Sequence, residues 1–335
     1  MSETHGRIAG VLAIDAGNSK TDVALIATDG RLVGTARGGP FLPQRIGAEA
    51  AVAGLVAMVG TACADAGLDH RDEGPIVQHV SACLANADLP AENGALEDAI
   101  AARSWGESSE VFNDTFALLR AGLDEPRGVA VVCGAGINCA GLLPDGTTAR
   151  FAAVGHISGD WGGGAYLWQE AMWWAARAED GRGPETRLRV ELPQHFGITT
   201  MAGLIEAVHL GAISEAQCLE MTPVLFAVAA AGDVAADRIV RRQAEEVVTL
   251  ALTAMRRLGV LDEPIDVVLG GGVLTAGHAL LMDEIDRLLR EEAPLATAMV
   301  VRTPPVVGAA LLGLDRIGAS PEARDRLRAG FASPD

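Results

Sequence analysis

Positive charge is scarce in this sequence. Lysine and arginine together number 26 against 44 aspartates and glutamates, which gives a formal net charge of −18 at pH 7. Such a surface repels the phosphates of nucleic acids and anionic lipids, so we expect neither a nucleic-acid nor a membrane partner. Lysine itself occurs once, as Lys20. A single lysine in a chain that otherwise uses arginine indicates a need for a compact ammonium group there; the alternative is chance.

Cysteines and long apolar runs are also few. The five cysteines include no C-x-x-C pair, and their apolar surroundings predict reduced thiols in the core. The seven histidines show no metal-ligand spacing, so we predict no structural metal. No stretch reaches the roughly 18 apolar residues of a membrane span, and Met1–Gly6 is polar and has no signal core. We therefore expect a cytoplasmic protein. The cysteines are Cys63, Cys83, Cys133, Cys139 and Cys218.

One structural unit occurs twice in the chain. Its length of 335 residues predicts two domains of roughly 100–200 residues each. Each copy of the unit reads as strand, glycine-containing loop, strand, tight turn and strand, and the copies lie about 118 residues apart. The predicted strands are 8–15, 22–27 and 32–36 in the first copy, and 128–133, 139–143 and 148–152 in the second.

Helices and further strands follow each copy of this unit. Their alternation predicts a duplicated α/β architecture with mixed sheets. The predicted helices are 48–66, 92–103, 115–122, 164–178, 201–208, 214–230, 234–258, 275–291 and 305–317, and the predicted strands are 76–84, 110–113, 265–269 and 299–302.

The glycine-containing loops of the two copies are candidates for phosphate binding. Residues 15–21 end like a Walker A element, but Asn18 and Ser19 separate the glycine from Lys20 and a strand follows, so the Walker interpretation fails. A turn between two strands still presents backbone N–H groups to an anion, and residues 134–136 offer the same in the second copy. The alternative for each loop is a tight turn that uses glycine for positive φ.

Two aspartates stand at the ends of predicted strands. Asp15 ends an apolar strand, where an unpaired carboxylate is costly, so Mg²⁺ reached through water is a sensible partner. Asp114 follows the strand 110–113, at the junction of the two halves of the chain. It is a candidate general base toward a substrate hydroxyl, and the alternative is an ordinary helix N-cap.

Two more glycine-rich stretches precede helices. In the stretch 158–164, Asp160 is placed to accept hydrogen bonds from a polyol, although the stretch could also be a plain helix entry. Residues 270–272 would let a flat ring system approach the backbone closely. The tryptophans after the first stretch have helical spacing, which favours the core over a sugar platform. They are Trp168, Trp173 and Trp174.

These segments together resemble the N-acetylglucosamine kinase and CoA-dehydratase-activator ATPase family, within the superfamily of actin, heat-shock chaperone ATPases and hexokinases. The resemblance covers residues 8–317. The matching segments are Asp15–Thr21, Asn113–Asp114, Gly134–Cys139, Gly155–Asp160 and Gly270–Gly272.

The resemblance implies two ribonuclease-H-like lobes with a cleft between them that holds ATP and Mg²⁺. The N-terminal lobe would comprise residues 8–117 plus a C-terminal helix at 305–330, and the other lobe, with helical insertions, residues 118–304. The chain departs from the family where an asparagine-containing sugar loop is usual, near 38–47, and at Trp161 and Val154. These departures leave the identity of the sugar open.

The function that this resemblance implies is ATP-dependent phosphorylation of an amino sugar, N-acetylglucosamine or glucosamine, at O6, by a homodimer. Asp114 would be the base and Asp15 the Mg²⁺ carboxylate. The nucleotide would bind at Gly17, Asn18, Ser19, Lys20, Thr21, Gly134, Gly136, Gly270, Gly271 and Gly272. The sugar would bind at Asn86, Asn113, Asn138, Gly155, His156 and Asp160.

Three alternatives remain open at this point. The acceptor could be glucose or another hexose. The chain could be an ATPase that activates a dehydratase or reductase through an iron–sulfur cluster, but Cys133 and Cys139 bracket the second loop inside strands instead of presenting exposed thiolates. A sugar sensor without catalysis would be expected to lack the base and the magnesium carboxylate, and both are present.

Overall fold

The computed structural model describes residues 10–68 and 75–331. Two five-stranded sheets form the frame of the fold. The strands are β1 Gly10–Ala16, β2 Thr21–Ala27, β3 Leu32–Gly38, β4 Val77–Leu84, β5 Gly106–Asn113, β6 Gly128–Cys133, β7 Ile137–Leu142, β8 Thr148–Arg150, β9 Ile265–Gly270 and β10 Ala296–Val300. Ile8 and Ala9, included in the first predicted strand, lie outside the described residues.

Helices account for most of the remaining chain. A short 3₁₀ helix, Gly155–Ser158, precedes the fifth of them. The helices are α1 Pro43–Ile46, α2 Ala48–Asp65, α3 Pro90–Ala101, α4 Asp114–Gly122, α5 Gly164–Glu179, α6 Leu188–His195, α7 Met201–His209, α8 Glu215–Cys218, α9 Met221–Ala230, α10 Val234–Leu258, α11 Gly272–Thr275, α12 Ala279–Glu292, α13 Pro305–Arg316 and α14 Pro321–Phe331.

The described residues divide into two compact units. The first contains residues 10–68, 75–130, 140–152 and 301–331; the second contains residues 131–139 and 153–300. The mixed α/β class with two sheets, predicted from the sequence, is confirmed. The lobe boundaries after residues 117 and 304 stay a prediction.

The first sheet has the order β3-β2-β1-β4-β5. The first three strands are antiparallel neighbours joined by short turns, whereas β4 and β5 run parallel to β1. Strands β1 and β2 are buried along their whole length, which explains why both read as continuous apolar runs. In the turn between β2 and β3, the N–H of Gly30 donates to the carbonyl of Ala27 over 2.8 Å. The predicted hairpin is confirmed.

Helices cover this sheet and set its edges. Helix α2 has the length and composition of a membrane span, but it packs against β3 and buries Val52, Leu55 and Val59 in the core, so it is a core helix of this unit. On another side, α13 crosses α4 at very short range. A Cβ atom on Gly308 would lie 1.7 Å from the carbonyl oxygen of Ala117, so only glycine permits this crossing.

The second sheet has the order β10-β9-β6-β7-β8, with β9 parallel to β10 and β7 antiparallel to β8. Helices α5 to α12 belong to the second unit. The longest, α10, begins at the N-cap Asp233, whose carboxylate accepts from the N–H groups of Ala235 and Ala236, and ends at Gly259 with φ +73°. These are the start and stop signals expected of a helix.

Several details of the secondary-structure prediction are wrong. The predicted helix 214–230 is two helices, because Pro223 lacks an N–H and its ring would clash with the carbonyl of Leu219 in a continuous helix. The predicted helix 275–291 is also broken, at Gly277 with φ +66°. The C-terminal helix expected at 305–330 is likewise two helices, α13 and α14, separated at Gly318 with φ +68°. Helices α1 and α6 were not predicted; both are short and contain a proline.

Candidate active site

The carboxyl ends of three parallel strands meet at one edge of the first sheet. Ala16 of β1 lies beside Leu84 of β4, and Leu84 lies beside Asn113 of β5. Because the strand ends are in register, the residues at and just after them are brought to the same edge. These residues are Asp15, Asn18, Asn86 and Asp114, all predicted site residues, and Asp88.

The first glycine-containing loop turns sharply between β1 and β2. The N–H of Gly17 donates to the carbonyl of Lys20 over 2.9 Å, and the carbonyl of Gly17 accepts from Phe41 over 3.0 Å. The hydroxyl of Thr21 donates to the carbonyl of Gly39 over 2.9 Å. The loop is therefore held to the segment after β3, while its tip, 18–20, stays exposed.

A buried aspartate holds the single lysine. The ammonium nitrogen Nζ of Lys20 lies 3.1 Å from Oδ2 of Asp22, and Nε of Arg37 lies 2.5 Å from Oδ1. Burial alone would raise the pKa of Asp22, but hydrogen bonds from Arg37 and Lys20 lower it below its ordinary value. Asp22 also lies directly across from Asp15 in the sheet. Lys20, with half of its side chain exposed, is thus tethered next to Asp15.

The environment of the Asp15 carboxyl disfavours its charged form unless a cation lies nearby. Burial, followed by the negative charges of Asp114 and Asp22, raises the pKa of Asp15 to about 8, and Lys20 opposes this rise. Among the described residues no three His, Cys, Asp or Glu side chains group around a metal position. Mg²⁺ commonly keeps several waters and uses one or two carboxylates plus phosphate oxygens. The residues present therefore fit a magnesium ion held mainly through water.

Asp114 is the first residue of α4 and not its cap. The N-cap is Asn113, whose Oδ1 accepts from the N–H of Thr115 over 3.0 Å, so the alternative of Asp114 as an N-cap is wrong. Burial raises the pKa of Asp114 to about 6, while the N–H groups of Thr115 and of Asp114 itself oppose the rise. A carboxylate with a pKa near the working pH is suited to accept a proton.

The segment after β4 adds two polar side chains to this edge. Asn86 has φ +63°, an uncommon backbone conformation outside glycine, and its Nδ2 donates to Oδ1 of Asn18 over 3.0 Å. Asp88 accepts from Nδ2 of Asn113 over 2.8 Å, and burial, with the charges of Asp114 and Glu92, raises its pKa to about 7. Asp88 was not among the residues predicted from the sequence. Its position two residues after Asn86, past a buried strand, was the available signal.

The second glycine-containing loop lies in the second unit, against the glycine-rich stretch before α5. The N–H of Gly164 donates to the carbonyl of Gly134 over 2.8 Å, and that of Ala165 donates to the carbonyl of Ala135 over 2.9 Å. Gly163 has φ +82°, and a Cβ atom there would lie 2.4 Å from the carbonyl oxygen of Gly136. Glycine at 163 is therefore required for this contact, which the sequence did not predict.

Two other predicted positions lie in the same unit. Gly271, after β9, has φ +83°, and a Cβ atom there would lie 2.4 Å from the carbonyl oxygen of Cys133. Gly270 ends β9 and Gly272 begins α11. Asn138 of β7 is half-buried, and its Oδ1 accepts from the N–H of Cys139 over 2.7 Å.

The segment 155–160 forms a compact turn. Gly155 has φ +68°, and its carbonyl accepts from the N–H of Asp160 over 3.1 Å. The Ser158 hydroxyl donates to the Asp160 carboxylate, and His156 is exposed. Asp160 is thus oriented by its own turn.

None of the three tryptophans of α5 lies in the fully buried core that was predicted for them. The side chain of Trp173 is 49% exposed. Trp168 and Trp174 are partly buried.

Comparison with known proteins assigns these features to one family. The sequence model of the BadF/BadG/BcrA/BcrD ATPase family matches residues 12–313. An N-acetylmuramic acid/N-acetylglucosamine kinase from Clostridium acetobutylicum is 24% identical over 228 residues, covering 68% of this chain and 74% of its own length. An N-acetyl-D-glucosamine kinase from Dictyostelium discoideum is 26% identical over 245 residues, covering 70% and 75%.

Solved structures share the fold. A protein from Chromobacterium violaceum assigned as an N-acetylglucosamine kinase has a TM-score of 0.69 at 23% identity, covering 91% of this chain and 99% of that one. A glucokinase of the ROK family from Streptomyces griseus, solved with glucose and AMPPNP, has a TM-score of 0.55 at 20% identity, covering 90% and 98%.

Proposed function

Because the chain belongs to the BadF/BadG/BcrA/BcrD ATPase family, we propose that it is an ATP-dependent sugar kinase whose acceptor is an amino sugar, N-acetylglucosamine or glucosamine. The two curated relatives are named as kinases of N-acetylated sugars. The observation that carries the proposal is the placement of Asp114, buried, with its pKa raised to about 6, at the same sheet edge as the loop 17–21.

The chemical step is a proton transfer coupled to phosphoryl transfer. The sugar hydroxyl, which we assign as O6, attacks the γ-phosphorus of ATP and the bond from that phosphorus to the bridging oxygen of ADP breaks. Asp114 accepts the hydroxyl proton on its carboxylate as the new O–P bond forms. The N-cap hydrogen bond from Thr115 to Asn113 holds the start of α4, and with it Asp114, in place.

Charge on the transferring phosphoryl group needs compensation. Lys20, tethered by Asp22, supplies an ammonium group, and the N–H groups of the loops that contain Gly17, Gly134 and Gly136 supply dipoles. Mg²⁺, held at Asp15 through water, would neutralise part of the negative charge of the phosphates when bound.

The remaining predicted residues are assigned to the two substrates. Asn18, Ser19 and Thr21 would contact phosphates, and Gly270, Gly271 and Gly272 would let the adenosine approach the backbone. The side chains assigned to the sugar are Asn86, Asn113, Asn138, His156 and Asp160, together with the backbone of Gly155. We also expect a homodimer located in the cytoplasm.

The iron–sulfur alternative is disfavoured by the cysteines. All five are buried, and burial raises the pKa of every one of their thiols. Cluster ligation needs thiolates that can reach iron.

A sugar panel with an Asp114 variant tests the proposal. Purified protein with Mg-ATP should phosphorylate N-acetylglucosamine or glucosamine faster than glucose, and phosphorus–proton NMR coupling should place the phosphate on O6. Asp114→Asn should lower kcat by roughly 10²–10⁴-fold while ATP still binds. Asp98→Asn, on the exposed face of α3, is the control and should be fully active. Near-wild-type turnover in folded Asp114→Asn would refute the base, and no sugar-dependent ATP consumption would refute the kinase.

A further inference from the structure

The second unit contains a cavity that the proposed function does not use. Its volume is about 700 Å³, within the roughly 300–1,000 Å³ of small-molecule sites. Residues of helices α5 and α10 line it, together with Pro184, Glu185 and Trp161. Three of the five tryptophans of the chain line it: Trp161, Trp173 and Trp174.

Trp173 and Trp174, both on α5, present an aromatic surface to the cavity. Their rings meet edge to face with centroids 5.0 Å apart, an arrangement that suits the ring quadrupoles. The guanidinium of Arg177 lies 4.5 Å from the ring centroid of Trp173 but does not line the cavity. Trp173, whose side chain is 49% exposed, is thus contacted by Arg177, which lies outside the cavity, while its own ring lines the cavity. Holding so large an apolar surface in water costs free energy unless a ligand covers it.

The polar groups of the cavity can form hydrogen bonds with a ligand. Arg242 stacks over Trp161, 4.0 Å from its ring centroid, and lies 3.9 Å from Glu170 and 4.0 Å from Glu246. These distances are longer than hydrogen bonds. The guanidinium and the two carboxylates therefore attract each other without hydrogen bonding, and a hydroxyl group could bridge them.

The charge of the lining selects against anions. Five carboxylates line the cavity against three guanidinium groups, so a phosphate or carboxylate ligand would meet net repulsion. A ligand with an apolar face and a rim of uncharged hydroxyls matches both the aromatic surface and the donor and acceptor set. A neutral pyranose has this chemistry.

We propose that the cavity between α5 and α10 is a second carbohydrate site, in which a neutral pyranose stacks on Trp173 and hydrogen-bonds to Arg242 and Glu170. Trp161 follows Asp160 directly, so the site adjoins the turn that the proposed function assigns to the acceptor sugar. Only this link to Asp160 rests on the proposed function. The pyranose is either a separate sugar molecule or the second unit of a longer acceptor.

Titration calorimetry without nucleotide tests the site. The probes are N-acetylglucosamine, its β-1,4-linked dimer, glucose and maltose, with inorganic phosphate as the anionic comparison. Trp173→Ala should weaken sugar binding at this site by about tenfold, the effect of losing one aromatic stacking contact, and Trp173→Phe should retain most of it. Ile205→Ala, an exposed apolar side chain elsewhere in the same unit, is the control and should bind as wild type.

The stoichiometry distinguishes the two sources of the pyranose. Two equivalents of monosaccharide, one of them sensitive to Trp173→Ala, indicate a separate sugar. One equivalent of disaccharide that binds more tightly than the monosaccharide, an advantage lost in Trp173→Ala, indicates a longer acceptor. In both cases kcat with saturating monosaccharide should remain unchanged in Trp173→Ala.

Three outcomes would overturn the proposal. Identical titrations of wild type and Trp173→Ala would show that no sugar binds there. Phosphate binding that depends on Trp173 would show the wrong ligand class. A change of oligomeric state in Trp173→Ala with unchanged sugar titrations would make this face a protein interface. Since the titrations need no ATP, sugar binding that depends on Trp173 would stand even if no sugar were phosphorylated, and phosphorylation would stand if the cavity bound nothing.

Discussion

Charge balance among single side chains dominates the edge of the first sheet. The negative charges of Asp114 and Asp22 contribute to the raised pKa of Asp15, and Lys20, which is ion-paired with Asp22, opposes that rise. An ammonium group is a compact point charge with three N–H donors, so it can contact a carboxylate and a phosphate oxygen at the same time. The surrounding residues thus give a physical reason for a lysine at this position.

Lys20 can be followed chemically because no other lysine is present. Its side chain is half exposed, so an acylating reagent should modify it, and Mg-ATP should protect it if its ammonium faces phosphate. Mass spectrometry separates this label from that on the α-amino group. Lys20→Arg should keep the fold and lower kcat, because the planar guanidinium replaces a point charge. Equal labelling with and without Mg-ATP, together with full activity of Lys20→Arg, would make Lys20 an ordinary surface residue.

The charged form of Asp15 should lower the free energy of unfolding of the ligand-free protein at alkaline pH. Its pKa in the folded protein, raised to about 8 from an ordinary 3.8, means that the folded state holds the proton more tightly than the unfolded chain. This contribution to the free energy of unfolding therefore falls as pH rises between these two values and is fully lost above the higher one. At about pH 8, Asp15→Asn should be more stable than wild type by on the order of a few kcal/mol, measured by urea unfolding.

Magnesium supplies the second arm of this experiment. At about pH 8, Mg²⁺ should stabilise wild type, because a ligand that binds only the folded state raises the free energy of unfolding, and should leave Asp15→Asn unchanged. Near pH 4 the two proteins should unfold alike, since Asp15 is protonated in the folded state. A variant less stable than wild type at both pH values would show that the carboxyl has a structural partner instead.

At the scale of elements, glycine decides which segments can touch. The loop 134–136 is held by two backbone hydrogen bonds to the start of α5, and Gly163 lies against it at a distance that excludes a side chain. The glycine-rich stretch before α5 is therefore a support for the second glycine-containing loop. The alternative of a plain helix entry does not account for this contact.

A pair of glycine variants isolates that support. Gly163 and Gly47 have nearly the same backbone conformation, φ +82° and ψ 168° against φ +85° and ψ 155°, but nothing lies within 4 Å of a Cβ at 47. Both alanine variants therefore carry the strain of a conformation essentially confined to glycine, on the order of 1–3 kcal/mol, and only Gly163→Ala also displaces 134–136. We expect Gly163→Ala to raise KM for ATP at least about tenfold and Gly47→Ala to leave it unchanged. Equal KM values in folded variants would show that the loop has no contact with the nucleotide.

At the scale of the whole molecule, excess negative charge is the dominant electrostatic feature. A formal charge of −18 on 335 residues makes the folded state repel itself, and salt screens this repulsion over about 10 Å at 0.1 M. Salt bridges between exposed side chains add little to the free energy of unfolding.

The stability of the protein should therefore increase with salt. Raising NaCl from about 0.02 M to about 0.2 M at pH 8 should raise Tm by about 2–4 °C, which corresponds to about 1 kcal/mol in a protein of this size. Near pH 5 the rise should be smaller, because some carboxylates are protonated and the net charge is lower. A Tm that stays constant or falls with salt at pH 8 would mean that attractive pairs outweigh the net repulsion. Calorimetry on the same buffer series measures both values.

Local patterns in the sequence were sufficient for the strands, most helices and the two glycine-containing loops. Buried strands such as β1 appear as apolar runs, and the turn at Gly30 has the residues that its geometry demands. Order along the chain was likewise enough to place Asp15, Asn86 and Asp114 at strand ends. These are short-range properties, because the alternation of apolar residues, the hydrogen bonds of tight turns and φ preferences depend on neighbours in sequence.

Only the tertiary structure decided which of these residues share an environment. Asp88 accepts a hydrogen bond from Asn113, Gly163 packs against the backbone of Gly136, and Trp173 lines a cavity instead of the core. Each of these outcomes depends on partners 25 or more residues away in the chain or on which face of a helix is left uncovered. Helical spacing tells which residues share a face, but the elements packed against that face determine whether it is buried, and no local pattern records them.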